Sequence, residues 1–147
     1  MANLTAERIS REFAGKLLRL IVADSNTVYA GAMVAISSGK AIPASTSAPA
    51  VGVAQNTAGQ GEAVLVKAGA FAMDNDTTYA LAAADTGAMA YVVDDHTVGD
   101  EGTAYAGRFL GLDENGQAIV AIGFEAAQAY AEAAALATGL AGKADKN

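Results

Sequence analysis

Short apolar runs separated by turn-forming residues are the main pattern along this chain. Between residues 28 and 73 these runs alternate with Gly, Ser, Pro, Asn and Gln. Runs of about four to eight residues bounded by turn formers are typical of short β-strands, because each strand buries one pleated face and then reverses. The pattern predicts strands at residues 17–23, 27–36, 40–43, 50–55, 62–67, 70–73, 88–93, 104–112 and 117–122.

The turn between the last two predicted strands is the strongest hairpin signal. Asn115-Gly116 provides two residues that tolerate the left-handed backbone conformation of a tight reversal. Closely spaced strands with no helix between them favour an antiparallel sheet over a βαβ fold. The expected fold is therefore all-β, a small antiparallel β-barrel or sandwich, with a proline-bounded surface loop at residues 43–49.

The two ends of the chain have a different pattern. Residues 1–16 lack the apolar periodicity of a stable helix and are predicted to form an extended or partly helical arm. After residue 123 the sequence is rich in Ala, Glu, Gln and Leu, which predicts an α-helix that ends at Gly139 or Gly142. The predicted organisation is an N-terminal arm (1–16), a β-domain (17–123) and a C-terminal Ala-rich helix with a flexible tail (124–147).

A heptad spacing of small apolar residues runs along the C-terminal segment. This spacing predicts a seam for self-association between copies of the chain, with packing on its own β-domain or fraying in solvent as the alternatives. The seam residues are Ile122, Ala126, Ala129, Ala133, Leu136 and Leu140.

Composition limits the class of protein. The chain has 147 residues, of which 52% are hydrophobic and 17% charged, enough for one domain with a core. It has no Cys, which excludes disulfides and thiolate metal sites. No apolar run is long enough to span a membrane, and the charged N-terminus is unlike a secretory signal, so we expect synthesis in a cytoplasm and no membrane partner.

Charge is unevenly distributed. Residues 1–40 carry a net charge of +2, whereas residues 41–147 carry −9. Such a gradient favours an arm that lies on an acidic surface of a neighbour or of another copy, and the alternative is a solvated, mildly basic terminus. Acids interrupt the basic residues and no aromatic side chains alternate with them, so a nucleic-acid partner is not expected.

Three short polar motifs are the candidates for chemistry. Asp94-Asp95-His96 combines possible metal or acid/base groups, but His96 is the only histidine and a polar loop follows it. Residues 74–76 begin like a calcium loop but lack its Gly and closing Glu, and the GQG at 59–61 precedes a strand where a phosphate site needs a helix. Residues 74–76 are interpreted as a turn, the His96 group as a solvated polar segment and the GQG as a connection between two strands. The chain is therefore expected to be non-enzymatic, with no catalytic residue, no cofactor and no metal.

The order of these segments resembles the capsid cement, or head decoration, proteins of tailed bacteriophages. The resemblance is carried from about residue 3 to residue 123 by LTAER, VYAGAMVAISSGKAIPAS, AVGVAQNTAG, VLVKAGAFAM, LAAADTGAMAYVVDDHTV and AGRFLGLDENGQAIVAI, in this succession. It implies a β-rich domain on the outer surface of a capsid that stabilises contacts between major capsid protein subunits. It also implies a homotrimer, with a dimer as the alternative, and arms that cross between capsomers.

This hypothesis assigns partner-binding residues to the start of the chain. Basic side chains pair with acids of a neighbouring copy or of the major capsid protein, and apolar ones pack into grooves. The candidate residues are Leu4, Arg8, Ile9, Arg11, Phe13, Lys16 and Arg19. The Ala-rich C-terminal segment departs from the family pattern and favours an alternative, a phage fibre or spike component whose β-domain is an attachment module. A carbohydrate or small-ligand binding module is a third class, which would need an exposed aromatic platform among Tyr29, Tyr79, Tyr91, Tyr105 and Tyr130.

Overall fold

The computed structural model describes residues 17–123 together with Ala6, and this part of the chain is mostly β-structure. The strands are β1 (Leu17–Ile21), β2 (Thr27–Val28), β3 (Met33–Ser37), β4 (Lys40–Pro43), β5 (Gly52–Ala54), β6 (Ala58–Gly59), β7 (Ala63–Lys67), β8 (Gly69–Asn75), β9 (Met89–Asp94), β10 (Thr97–Gly99), β11 (Tyr105–Leu112) and β12 (Ala118–Ile122). A 3₁₀ helix spans Ala83–Asp85. The predicted arm, apart from Ala6, and the predicted C-terminal helix lie outside the described residues.

The first half of the described chain forms a five-stranded sheet in the order β1-β7-β5-β3-β4, with all neighbours antiparallel. Val22, directly after β1, forms a bridge with Ala41 of β4, so the two edge strands meet at that point. The short pair β2-β6 accompanies this sheet. One apolar core belongs to these strands and consists of Val22, Val28, Val34, Ala41, Ala54, Ala58, Val64 and Val66.

The second half forms a small closed barrel in the order β10-β8-β12-β11-β9. Its pairs are antiparallel except for β10-β8, which is parallel. Phe109, Val120 and Ile122 are fully or almost fully buried in its core. At Gly107, where β11 has a bulge, a Cβ atom would overlap the carbonyl oxygen of Ala121, so the close approach of β11 and β12 requires glycine.

The sheet and the barrel share a core. Met33, Ala35 and Val53 of the sheet pack in one apolar cluster with Phe109 and other barrel residues. Backbone hydrogen bonds add to this contact, because the Met33 N–H donates to the Asp95 carbonyl at 2.7 Å. The prediction of an antiparallel barrel or sandwich is thus confirmed at the level of antiparallel sheets with a small closed barrel.

The prediction of one strand over residues 27–36 is wrong. The segment contains β2 and β3, separated by a turn in which the Ala32 N–H donates to the Tyr29 carbonyl at 3.0 Å. Gly31 has a φ of +94° in this turn, a conformation that a continuous strand does not allow. The sequence interpretation also missed β6, β10 and the 3₁₀ helix, which are two or three residues long and have too few residues to show periodicity.

The predicted C-terminal hairpin is confirmed, with a different turn. β11 and β12 pair antiparallel, and Gly116 has a φ of +82°, but Asn115 does not have a positive φ. The Asp113 side chain stabilises the turn instead, since its Oδ1 accepts the N–H groups of Asn115 and Gln117 at 2.8 and 2.9 Å.

Candidate functional site

Only one of the seven predicted partner-binding residues lies in the described part of the chain. Arg19 is exposed in the middle of β1. The other six are outside the described residues: Leu4, Arg8, Ile9, Arg11, Phe13 and Lys16. The strand that directly follows the predicted arm, β1, is therefore an edge strand of the sheet and carries Arg19 as an exposed side chain.

Four exposed side chains lie together around Arg19, and we call them the β1–β7 face: Leu17, Arg19, Leu65 and Lys67. Leu17 lies opposite Lys67 and Arg19 lies opposite Leu65 in the antiparallel pair. Leu17 is 49% exposed and Leu65 is 44% exposed. Because side chains of a strand alternate between its two faces, the intervening Leu18, Leu20, Val64 and Val66 pack on the core side.

The electrostatic character of the β1–β7 face is basic. Neither Arg19 nor Lys67 forms an ion pair within residues 17–123. Two cations beside two half-exposed leucines can bind a surface that is apolar and acidic, since such a partner covers the leucines and pairs the charges.

Within the described residues, no strand pairs with the outer edge of β1 along Leu17–Ile21. Among residues 17–123 the only bridge on that side of β1 is the one between Val22 and Ala41. The Leu65 carbonyl accepts the Gln55 N–H at 2.8 Å, which directs the Leu65 backbone away from β1. In an antiparallel pair the opposite residue, Arg19, then directs its backbone groups outward as well. An extended segment of a partner can pair with this edge.

Ile122, the first residue of the predicted self-association seam, is part of the barrel. Ile122 is the last residue of β12, pairs with Gly69, and is only 2% exposed in the barrel core. It therefore does not belong to an exposed helical seam, because the barrel needs its side chain for packing. The other five seam residues, Ala126, Ala129, Ala133, Leu136 and Leu140, lie outside the described residues.

The Asp94-Asp95-His96 motif forms the turn between β9 and β10. The His96 N–H donates to Asp94 Oδ1 at 3.0 Å, and His96 Nδ1 lies 2.9 Å from Asp95 Oδ1. The hydrogen bond to Asp95 raises the pKa of His96. Burial acts in the opposite direction on Asp94, but hydrogen bonds from His96 and Thr97 bring the pKa of its carboxyl below the ordinary value.

This turn also contacts the sheet, through the bond from the Met33 N–H to the Asp95 carbonyl. Within the barrel, the Asp74 N–H of β8 donates to the His96 carbonyl at 2.9 Å. The three side chains bring possible ligand atoms within 4.8 Å of one another, but they come from consecutive residues and form the hydrogen bonds of a polar turn. That the protein functions without a metal stays a prediction.

The other two motifs lie at the ends of strands, since Asp74 and Asn75 end β8 and the GQG segment begins at the end of β6. Asn75 Oδ1 accepts the Leu81 N–H at 2.9 Å, and Asp76 Oδ2 accepts the Tyr79 N–H at 2.8 Å, so these side chains fix the loop after β8. Gln60 Oε1 accepts the Ser25 N–H at 2.8 Å, and β7 follows this turn as a strand. The interpretation of residues 74–76 as a turn is wrong for Asp74 and Asn75, which continue the ladder of β8, while the strand expected after the GQG segment is present as β7.

Sequence reasoning did not identify Leu65 and Lys67 as part of the candidate surface. The alternation in EAVLVK predicts that both side chains lie on the same face of a strand. Only the structure shows that this face is exposed and lies beside β1. No helix in the described part of the chain is both long and apolar enough to span a membrane. Comparison with protein-family models, curated proteins and solved structures found no match.

Proposed function

We propose that this protein is a capsid cement, or decoration, protein of a tailed bacteriophage. In this function it binds the outer surface of the phage head and stabilises contacts between neighbouring major capsid protein subunits. The sequence resemblance over about residues 3–123 suggests the family. The observation that carries the role is the β1–β7 face, which presents leucines and cations beside an open strand edge.

A protein that joins the subunits of a shell needs broad complementary surfaces. The β1–β7 face provides such a surface, and the basic residues 8, 11 and 16 precede it directly in the sequence. Arm and face then form one continuous binding surface, in which the arm crosses to the next capsid subunit. Its site of action is the outside of the virion after synthesis in the bacterial host cytoplasm.

Self-association strengthens the proposed binding. A homotrimer, or alternatively a dimer, engages several capsid subunits at once, so modest individual contacts give a high overall affinity. This function requires no catalytic residue, cofactor, nucleic acid or membrane.

The alternative function is a phage fibre or spike component with the β-domain as its attachment module. It is favoured by the Ala-rich sequence that follows β12 directly. The two functions differ in where the protein binds, because a cement protein covers the shell and a fibre component occupies a vertex or the tail.

The test is to mix the full-length protein with undecorated heads and to determine its position by cryo-electron microscopy. We expect density at regular positions over the whole shell and a higher melting temperature of the decorated heads. The charge variant R19E/K67E is expected to bind much more weakly, while K40E, which changes an exposed lysine at the β3–β4 turn, is the matched control. Density confined to a vertex or to the tail supports the fibre alternative, and no binding contradicts both functions.

A further inference from the structure

A groove beside the barrel is separate from the β1–β7 face. It has a volume of about 460 Å³ and is lined by Tyr79, Tyr91 and residues 100–103. A hollow of about 340 Å³ shares Tyr79 and residues 101–103 with it and extends it to Thr46, in the loop after β4. These volumes lie within the range of small-molecule sites in proteins, about 300–1,000 Å³.

Tyr79 forms an aromatic platform on a fixed backbone. Its side chain is 48% exposed. Its N–H donates to Asp76 Oδ2 and its carbonyl accepts the Asp100 N–H, both at 2.8 Å. The ring is thus accessible to a ligand, while the backbone that carries it is held on both sides.

Tyr91 forms a second aromatic wall. Its ring centroid lies 5.0 Å from that of Tyr105, with an angle of 31° between the rings. Burial and the hydrogen bond with Tyr105 raise the pKa of Tyr91, so the phenol stays neutral. Residue 102 must be glycine for the loop to lie against this ring, because a Cβ there would be 2.7 Å from Tyr91 Cβ.

The polar lining accepts hydrogen bonds. Asp76, Asp100 and Glu101 line the two hollows, whose lining in the described part of the chain includes no Lys, Arg or His. An anion is therefore repelled, and a ligand rich in hydrogen-bond donors is favoured.

The spacing of these carboxylates favours an extended ligand over a compact cation. Within residues 17–123, the only three acidic or histidine side chains with ligand atoms all within 4.8 Å of one another are Asp94, Asp95 and His96. The groove carboxylates are spread out, so a compact cation contacts only some of them. A longer ligand with several hydroxyl groups is better suited to carboxylates that lie apart.

We propose that this groove is a binding site for a neutral saccharide. The apolar face of a sugar ring packs on Tyr79, and its hydroxyl groups donate to Asp100 and Glu101. Thr103 Oγ1 donates its own proton to the Thr46 carbonyl, which leaves the oxygen lone pairs of Thr103 as further acceptors. This binding goes beyond the capsid role and does not depend on it.

The test is a titration of the ¹⁵N-labelled full-length protein with maltose, cellobiose, lactose and N,N′-diacetylchitobiose, followed by amide chemical shifts. We expect at least one disaccharide to shift the amides of residues 79 and 101–103 with a dissociation constant in the millimolar range. Glycerol, which has hydroxyl groups but no ring face, is expected to cause no saturable shift. The variant Y79A is expected to weaken binding about tenfold or more, and E101Q about fivefold.

The control variant is Y29A, because Tyr29 is 63% exposed and does not line the groove. It is expected to bind like the parent protein. The proposal is overturned if none of the four disaccharides causes saturable shifts, if the shifts lie elsewhere, or if Y79A binds unchanged. It is also overturned if the tripeptide amide Ala-Arg-Ala binds the groove more tightly than every sugar. None of these outcomes bears on head binding, which is measured separately.

Discussion

The two half-exposed leucines of the β1–β7 face allow a quantitative prediction for capsid binding. We consider the double variant L17S/L65S in the full-length chain. Leu17 and Leu65 expose 49% and 44% of their surfaces. Full burial of a leucine side chain contributes about 1.5–3 kcal/mol, so covering the remaining half contributes about 1 kcal/mol for each residue.

Removal of both leucines should then reduce the free energy of binding by about 2 kcal/mol. This corresponds to a dissociation constant about 30-fold higher for one copy at one site. Simultaneous attachment of several copies amplifies the loss, because each additional contact contributes its own weakened affinity.

The assay is co-sedimentation of fluorescently labelled protein with undecorated heads over a range of protein concentrations. The matched control is L110S/L112S, since these barrel leucines are 47% and 41% exposed and lie outside the β1–β7 face. Circular dichroism melting checks that both double variants are folded.

The reasoning is refuted if the folded L17S/L65S protein binds heads as tightly as the parent. It is equally refuted if L110S/L112S weakens binding to the same extent, because hydrophobicity in general, and not this face, would then account for the loss.

Three further predictions concern the arm, the barrel and the turn at His96. Deletion of residues 1–16 is expected to abolish head binding and to leave the circular dichroism spectrum of the β-domain unchanged; normal decoration by the truncated protein would contradict the arm hypothesis. In the barrel, G107A is expected to lower the free energy of unfolding by about 3 kcal/mol or more, because the added Cβ would overlap the Ala121 carbonyl. A Cβ at residue 111 would meet no atom within 4 Å, so G111A should lower it by only about 1–2 kcal/mol, through backbone strain. Urea denaturation measures both changes. The pKa of His96 is raised in the folded state, so its contribution to stability is full below the ordinary value of 6.5 and is lost as pH rises through the folded pKa. The variant H96Q should not show this loss of stability with rising pH. Equal pH dependence in both proteins would show that another group is responsible.

The sequence predicts the β-structure well where turn chemistry and alternation agree. Residues 104–122 show both, and their hairpin is present as expected. Residues 27–36 are continuously apolar apart from small residues, so the pattern there does not reveal the turn at Gly31. The error has a physical cause, since a glycine within an apolar run is compatible with either a strand or a reversal.

The candidate site is less predictable from the sequence. The charge of Arg19 identifies it as a candidate binding residue, but Leu17 and Leu65 are apolar and resemble core residues in the sequence. Their common position depends on long-range pairing, because β1 and β7 pair antiparallel and place both side chains on one exposed face. The Tyr79 groove likewise brings together residues from loops far apart in the chain, from Thr46 to Thr103.

The turn between β9 and β10 has a mechanical consequence. Its Asp95 carbonyl receives the N–H of Met33 in β3 and so connects the sheet with the barrel, while its His96 carbonyl receives the N–H of Asp74 in β8, within the barrel. Tension between the sheet and the barrel at this turn acts on the bond from Met33 to Asp95, and the strands on the barrel side of this bond form a closed ring. A closed ring has no edge strand that can be peeled away, although the cores consist mainly of alanine and valine.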